Sequence, residues 1–201
     1  MTKYKDNDTE ERILGAAKKI FLRDGLQGAR MQDIADLASI NRSMLHYYFR
    51  DKKMLSNEVV KSVASQFIVT FRENLNSDSS FEEKVDNYIA SEIDLAYNHP
   101  DMLIFALHES SRDPEFFKKI VNNNRHSTVF RQQLKEAYEK GEVTVNSVEE
   151  FAVVVSSLTM FPFIAGPLYM MICRWDEEKW LSYRNSLKRH LPVWIKHIIF
   201  K

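Results

Sequence analysis

Apolar residues recur along this chain at spacings of three and four, and no run of strict alternation is long enough to predict a strand. The pattern therefore predicts an all-α fold of about nine helices, three short ones followed by longer ones. Polar residues at capping-box spacing mark three helix starts, at Asp8 with Glu11, Ser80 with Glu83 and Ser147 with Glu150. Gly25 and Gly141 mark helix ends, and Pro100 disfavours helical geometry at His99, which should end the helix there.

These signals place the helices along the chain. They are predicted from Asp8 to Gly25, at about 31–38, at about 42–49, from about Asp51 to Asn74, from Ser80 to His99, through "DMLIFALHESS", from Pro114 to Gly141, at 147–174 and at 176–200. No linker rich in serine or glycine separates them. We therefore expect two domains joined by a long fourth helix, with residues 1–52 in the first and residues 53–201 in the second.

The stretch from Phe151 to Cys173 contains no charged residue over a length that could span a membrane. It also contains serines, a threonine, Pro162, Gly166 and Pro167, and no second stretch resembles it. A helix that is apolar all round also fits the centre of a soluble core or a dimer. We expect that second arrangement and no membrane, and we expect the two prolines to kink the helix.

Composition adds little to this picture, but the distribution of charge adds more. The 28 basic and 28 acidic side chains cancel, whereas residues 1–55 carry eleven basic and eight acidic ones. This local surplus is a weak indication of contact with a polyanion at the N-terminal end. A single cysteine, Cys173, and a polar N-terminus indicate a reducing, cytoplasmic location, and we expect Cys173 to be buried.

Residues 31–49, "MQDIADLASINRSMLHYYF", have the pattern of a helix-turn-helix unit. Buried positions are expected at Ile34, Ala35, Ala38, Ile40, Leu45 and Phe49, and Asn41 is a good N-cap for the second helix. That second helix has the size of the major groove of DNA. Its remaining side chains are left facing outward, where they need a partner.

Those outward side chains predict a DNA-reading surface. We expect Arg42 and Ser43 to reach base edges, while His46, Tyr47 and Tyr48 reach phosphate oxygens. Lys52 is expected to add charge at a phosphate, and Met44 either packs or touches a thymine methyl group. With these residues the full predicted set also includes Arg30 and Gln32. The alternative is a solvated amphipathic helix of an ordinary bundle.

Residues 9–55 resemble the DNA-binding domain of the tetracycline-repressor (TetR-like) family. The resemblance rests on Ile34-Ala35, Ala38-Ser39-Ile40-Asn41, Leu45-His46-Tyr47-Tyr48-Phe49, Lys52 and Leu55. It implies a dimeric, ligand-responsive transcriptional regulator that binds pseudo-palindromic double-stranded operator DNA, with a variable helical C-terminal domain. It also implies a homodimer formed through the helices at about 147–174 and 176–200, where Trp180, Leu187, Leu191, Trp194 and Ile198 form an apolar seam.

Three positions depart from the family pattern. Ser39 stands at the usual turn glycine, where a positive φ would cost about 1 kcal/mol. Arg30-Met31 replaces the usual threonines, so a capping hydroxyl is missing before the first motif helix. His46 stands where tyrosine is common, which makes its phosphate contact sensitive to pH.

The larger domain contains no catalytic, phosphate-binding or metal-binding motif, so we expect no enzyme activity, cofactor or metal. We expect instead a pocket for a small apolar effector, because aromatic and methionine side chains suit adaptable apolar walls. The predicted lining is Phe67, Phe71, Phe105, His108, Glu109, Phe130, Met160, Phe163 and Tyr169. His108 and Glu109 either orient the ligand or satisfy each other.

Two alternatives remain open at this point. The first is a small helical enzyme or ligand-binding protein with an incidental helix-turn-helix. The second is a membrane-anchored regulator that spans the bilayer at 151–173. Neither the effector, the operator sequence nor the choice between repression and co-repression follows from the sequence.

Overall fold

The computed structural model describes the backbone of residues 2–122 and 128–201 and the side chains of residues 8–120 and 128–201. The described chain forms eleven helices and no strand beyond a single bridge between Val143 and Phe200. In chain order they are α1 (Thr2–Gly28), α2 (Met31–Leu37), α3 (Arg42–Tyr48), α4 (Lys52–Leu75), α5 (Phe81–Asn98), α6 (Pro100–Arg112), α7 (Pro114–Asn122), α8 (Thr128–Glu139), α9 (Val148–Ile164), α10 (Gly166–Cys173) and α11 (Glu177–Ile199). The all-α prediction is confirmed.

Two compact units make up the chain. The first contains residues 1–65 and 105–116, and the second contains residues 66–104 and 117–201. Helices α4, α6 and α7 each contribute residues to both units. The predicted functional boundary between residues 52 and 53 is a different kind of division, and it stays a prediction.

Local caps fix most helix starts where the sequence predicts them, but the start predicted at Asp8 is wrong, because α1 begins at Thr2. Ser80 and Glu83 form a reciprocal capping box at α5, and the Ser147 side chain accepts a hydrogen bond from the Glu150 N–H at α9. The Asp176 side chain accepts from the Lys179 N–H at α11. Each contact satisfies an N–H group that the first helical turn leaves without a partner.

The described residues form eleven helices against the nine predicted, because two of the predicted helices are each described in two parts. The helix predicted from Pro114 to Gly141 appears as α7 and α8, and residues 123–127 between them lie outside the described residues. The helix predicted at 147–174 bends by 57° between α9 and α10. Ala165 ends α9, and α10 restarts with Pro167 in its first turn, where the missing N–H of proline costs no hydrogen bond.

The bend brings Gly166 against the last helix. A Cβ at this position would lie 2.3 Å from Cζ2 of Trp180, which is closer than any side chain tolerates. Trp180 itself is buried. Glycine is therefore required here by close packing.

The core of the second unit is one apolar cluster between α5, α8, α9 and α11. Its larger fully buried members include Ile89, Phe130, Phe151 and Ile195. Ion pairs between α5 and α11 border it, with the Lys196 ammonium 3.0 Å from Glu82 and 3.1 Å from Asp86. Burial of the apolar side chains is the main stabilising contribution, because such exposed ion pairs contribute little.

The apolar seam of α11 divides between the core and the surface of the single chain. Trp180, Leu187 and Leu191 are buried, whereas Trp194 and Ile198 are about half exposed. The buried positions continue instead through Ile195 and Ile199, at steps of four that each turn about 40° beyond a full circle. The core-facing side therefore rotates away from Trp194 and Ile198 toward the end of the helix.

Two further expectations, the burial of Cys173 and the absence of a membrane span, concern α9 and α10. Cys173 is exposed, so the expectation that it is buried is wrong for the single chain. In the part of the chain that the structure describes, no single helix is long and apolar enough to cross a membrane, although the bent α9–α10 pair passes by length and composition alone.

Candidate nucleic-acid interface

The side chains of α1, α2 and α3 build a small core that holds the two motif helices together. Ile34, Ala35 and Ala38 are buried on the first motif helix, and Leu45 and Phe49 on the second. The two alanines leave room for the helices to approach closely. All five lie at the positions that the sequence pattern predicts as buried, whereas Ile40 is only partly buried.

A left-handed residue makes the turn between α2 and α3. Ser39 has a φ of 55°, so the expected strain at this position is present. The Ile40 N–H donates to the Ala35 carbonyl at 3.0 Å, which closes the turn. Arg12 on α1 was not foreseen from the sequence, and its Nη2 donates to the Ala38 carbonyl at 2.7 Å. The turn is therefore held from outside the motif as well as from within it.

Helix α3 starts at its predicted cap and presents polar groups outward. The Asn41 Oδ1 accepts from the Met44 N–H at 2.8 Å. Arg42, Ser43, Met44 and His46 are exposed, and Tyr47 is 80% exposed. An aromatic ring left in water at the tip of a short helix contributes little to folding. It is available to an external partner.

Four predicted contact residues have partners within the protein. The Lys52 ammonium donates to the Ala29 carbonyl at 2.9 Å and to the Gln27 carbonyl at 3.2 Å, so it ties the start of α4 to the end of α1. The Gln32 amide donates to Asp36 at 2.7 Å. Tyr48 is half-buried and meets the Tyr47 ring edge-on at 5.4 Å. The His46 Nδ1 lies 3.1 Å from the Arg50 carbonyl.

Arg30 stands at the N-cap of α2 without a side-chain capping bond, as its replacement of a hydroxyl residue predicts. It is exposed, as are Arg42, Arg50 and Lys53. Within residues 40–53 the only acidic side chain is Asp51, whose Oδ1 accepts from the Met54 N–H at 2.8 Å. The outer surface of this part of the first unit is therefore mainly cationic and hydrogen-bonding, which matches a phosphate backbone.

The predicted effector residues divide between the two units. Phe105, His108 and Glu109 lie in the first unit, and the other six lie in the second. Glu109 is buried, and its carboxylate pairs with Arg112 at 2.6 Å and with His108 Nδ1 at 3.1 Å. His108 and Glu109 therefore serve as hydrogen-bonding partners for each other. Arg112 is a further partner of Glu109 that the sequence did not predict.

In the second unit, Phe130 and Phe163 are buried members of the apolar cluster. Phe67, Phe71 and Met160 are partly buried and pack against it, and Tyr169 on α10 is also partly buried. No group of three or more metal-ligating side chains occurs among the described residues. The effector site therefore stays a prediction, with an aromatic and methionine-containing wall as its structural setting.

Comparison with known proteins points to one family. Residues 13–59 match the family model described as bacterial regulatory proteins, tetR family. The "Probable HTH-type transcriptional regulator YttP" of Bacillus subtilis (strain 168) is 20% identical over 195 residues, which cover 94% of this chain and 93% of that protein. The HTH-type transcriptional repressor NicS of Pseudomonas putida is 37% identical over 59 residues, which cover 29% of this chain and 28% of NicS.

Among solved structures, SCO4942 from Streptomyces coelicolor superposes with a TM-score of 0.68 at 19% sequence identity. The superposition covers 95% of this chain and 98% of that one. At such low identity the likeness shows the fold. It extends the similarity from the N-terminal motif to nearly the whole helical chain.

Proposed function

Because this chain is a TetR-like transcriptional regulator, we propose that it works in the cytoplasm as a homodimer that represses transcription until an apolar effector releases it from its operator. The observation that carries the proposal is the tip of α3. Arg42, Ser43 and Tyr47 are exposed there on a buried scaffold, in the size and order that suit the major groove.

The exposed side chains divide the work of binding DNA. Arg42 and Ser43, in the first turn of α3, reach base edges and read sequence. Tyr47 and His46 contact phosphate oxygens and fix the position of the helix in the groove. Arg30 adds charge near the start of α2, and Lys52 acts mainly through the carbonyls that it holds.

A second copy of the chain covers the exposed apolar surface of α9, α10 and α11. This surface consists of Val153, Phe161, Leu168, Met171, Ile172, Leu181, Val193, Trp194 and Ile198. Monomeric proteins seldom expose so many large apolar side chains on neighbouring helices. A two-fold dimer buries them and supplies two reading heads for a pseudo-palindromic site.

The effector acts through the second unit, where Phe67 and Phe71 of α4 pack against the apolar cluster. The same helix continues without interruption to Lys52, whose ammonium holds α1. A ligand that shifts the second half of α4 therefore moves its first half. Co-repression, in which the ligand favours the DNA-bound state, would use the same parts.

A DNA-binding assay with two duplexes tests the proposal. The first duplex is the operator that the wild-type protein selects from a randomised pool, and the second is its scrambled sequence. Arg42→Ala should lose about tenfold or more in affinity for the operator and little for the scrambled duplex, because a base contact is removed. Tyr47→Ala should weaken binding to both duplexes, because a phosphate contact does not depend on sequence.

The matched control is Arg72→Ala, which removes an exposed arginine from the second half of α4. Its affinity for both duplexes should equal that of the wild type at each salt concentration. Unchanged affinity in both Arg42→Ala and Tyr47→Ala would eliminate α3 as the recognition helix.

The dimer has its own test. Met171→Asp places a charge on a side chain that is 71% exposed in the single chain, so the monomer should still fold. Sedimentation should then give a monomer where the wild type gives a dimer, and operator affinity should fall with it. A variant that remains dimeric would remove α10 from the interface.

A further inference from the structure

Glu92 lies inside the apolar cluster of the second unit without a full set of hydrogen bonds. Its side chain on α5 is only 2% exposed. Tyr88 lies one turn earlier on α5, and Oε2 of Glu92 has no hydrogen-bond partner among the described residues. Its neighbours on the buried side of the helix are Ile89, Ile93 and Ala96. A carboxyl oxygen has thus been taken out of water without compensation.

Protonation alone does not remove this deficit. Burial raises the pKa of Glu92 to about 7, so both forms are populated near neutral pH. The ionised form needs donors, and the neutral form needs an acceptor for its O–H. Oε2 has neither. Buried polar atoms in native proteins are nearly always paired, and an exception needs an explanation, of which a bound partner from outside the chain is one.

The aromatic rings that contact Tyr88, one turn before Glu92 on α5, favour a cationic partner. Phe71 meets the Tyr88 ring edge-on at 5.1 Å, and Phe151 lies 5.6 Å from the same ring. Aromatic faces attract cations, and a carboxylate in an apolar setting does so more strongly. The cation that is buried on the same helix, Lys84, already donates to Gln133 at 2.9 Å. It is therefore not an open site for an anion.

We propose that Glu92 anchors the effector site of the second unit, and that the effector is an apolar organic cation whose ammonium group binds Oε2. The apolar part of the molecule packs against Phe71 and the partly buried Phe67 and Met160, which lie against the same cluster. The proposal rests on the ligand-responsive function given above and specifies the chemistry of its ligand. It assigns Glu92 a recognition role that its burial in a folded core does not require.

Calorimetric titration of the full chain with three ten-carbon probes tests the charge preference. Decylammonium, decanol and decanoate share one apolar chain and differ in the charge of the head group. The wild type should bind decylammonium about 10- to 100-fold more tightly than decanol and decanoate least, as expected for a charge-assisted hydrogen bond out of water.

Glu92→Gln keeps the shape of the side chain and removes its charge. It should bind decylammonium and decanol equally. Glu92→Met, which suits an apolar core, should do the same, so a failure of one variant to fold leaves the other. Glu73→Gln removes an exposed carboxylate from α4 in the same unit, and it should retain the full preference of the wild type.

Three outcomes would overturn the proposal: no binding of decylammonium below about 1 mM, binding no tighter than that of decanol, or an unchanged preference in Glu92→Gln. Operator binding is measured separately with the duplexes described above. DNA binding through α3 without a charge preference among the probes would refute the Glu92 proposal alone. Binding of decylammonium through Glu92 without any binding of DNA would instead refute the proposed function.

Discussion

Helices α3 and α5 differ in the solvent exposure of their polar side chains. On α3, Arg42, Ser43 and Tyr47 point into water, and only Leu45 is buried. On α5, Lys84, Tyr88 and Glu92 follow each other at intervals of four and all three are buried. This periodicity places them on one side of the helix, among the aliphatic side chains of the cluster.

This difference in exposure determines whether a polar side chain loses its water when the protein folds or only when a partner binds. An exposed polar side chain keeps its water until a partner replaces it, so it contributes little to stability and much to binding. A buried one loses its water on folding and must be paired inside the protein or by a ligand. Changes on α3 should therefore alter DNA affinity with little effect on stability, and changes on α5 should do the reverse.

The sharpest test compares one substitution at two tyrosines. Tyr88→Ala should lower the free energy of unfolding by about 3–5 kcal/mol, because it leaves a cavity among packed aromatic rings. Tyr47→Ala should change it by less than about 0.5 kcal/mol, because the ring is exposed. Urea unfolding at a fixed protein concentration measures both. Similar losses at the two positions would mean that the α3 tip is packed in solution.

The pKa of Glu92 gives a pH dependence of defined sign. It lies at about 7 in the folded chain against 4.5 for an ordinary glutamate, so the folded state holds a proton that the unfolded state releases. Stability should therefore fall as pH rises from 4.5 to about 7, by roughly 3 kcal/mol, and change little from this group above that range.

Glu92→Gln provides the control for that dependence, since it cannot ionise. Its stability relative to the wild type should increase with pH over the same interval, as measured by urea unfolding between pH 5 and pH 8. If the free energies of unfolding of the two proteins change in parallel across this range, Glu92 is solvated in the folded state, and α5 no longer contrasts with α3.

Lys84 supplies a third test through its partner. Gln133→Leu removes the oxygen that accepts from the buried ammonium at 2.9 Å, so an unpaired cation stays in the core. We expect a loss of about 2 kcal/mol in the free energy of unfolding. Gln132→Leu, at the exposed neighbouring residue that donates to Glu136, should lose less than about 0.5 kcal/mol. DNA affinity should be unchanged in both.

How well the sequence predicts a feature depends on whether that feature involves local or distant contacts. The caps at Asn41, Ser80 and Ser147 depend on residues three positions apart, and all three are confirmed. Positive φ at Ser39 is likewise a property of one turn. These features could be read from the chain because few competing contacts act on them.

Features that depend on distant residues were missed or misplaced. The close packing of Trp180 on Gly166 joins residues that are fourteen positions apart in the sequence. Arg12 reaches the Ala38 carbonyl across 26 positions. The burial of Glu92 depends on the distant residues that cover it. The apolar residues Tyr88, Ile89 and Ile93 predict which side of α5 faces the core, but they do not predict whether the adjacent Glu92 is also covered.

The smallest expected effect concerns the backbone beside α3, where the strain lies in a turn and not in a buried side chain. Ser39 has a φ of 55°, which glycine adopts at no steric cost. Ser39→Gly should raise the free energy of unfolding by up to about 1 kcal/mol, less the entropy that glycine adds to the unfolded chain. The Arg12 contact to the Ala38 carbonyl does not involve the serine side chain, so it should persist.

The same substitution four residues later should have the opposite sign. Ser43 lies inside α3 with its side chain exposed, and glycine in a helix is less favourable than serine by roughly 0.5 kcal/mol. Thermal unfolding of Ser39→Gly and Ser43→Gly, side by side with the wild type, separates turn strain from helix propensity. If both variants were destabilised, the left-handed turn would carry no strain, and the unfolded-state entropy of glycine would explain both changes.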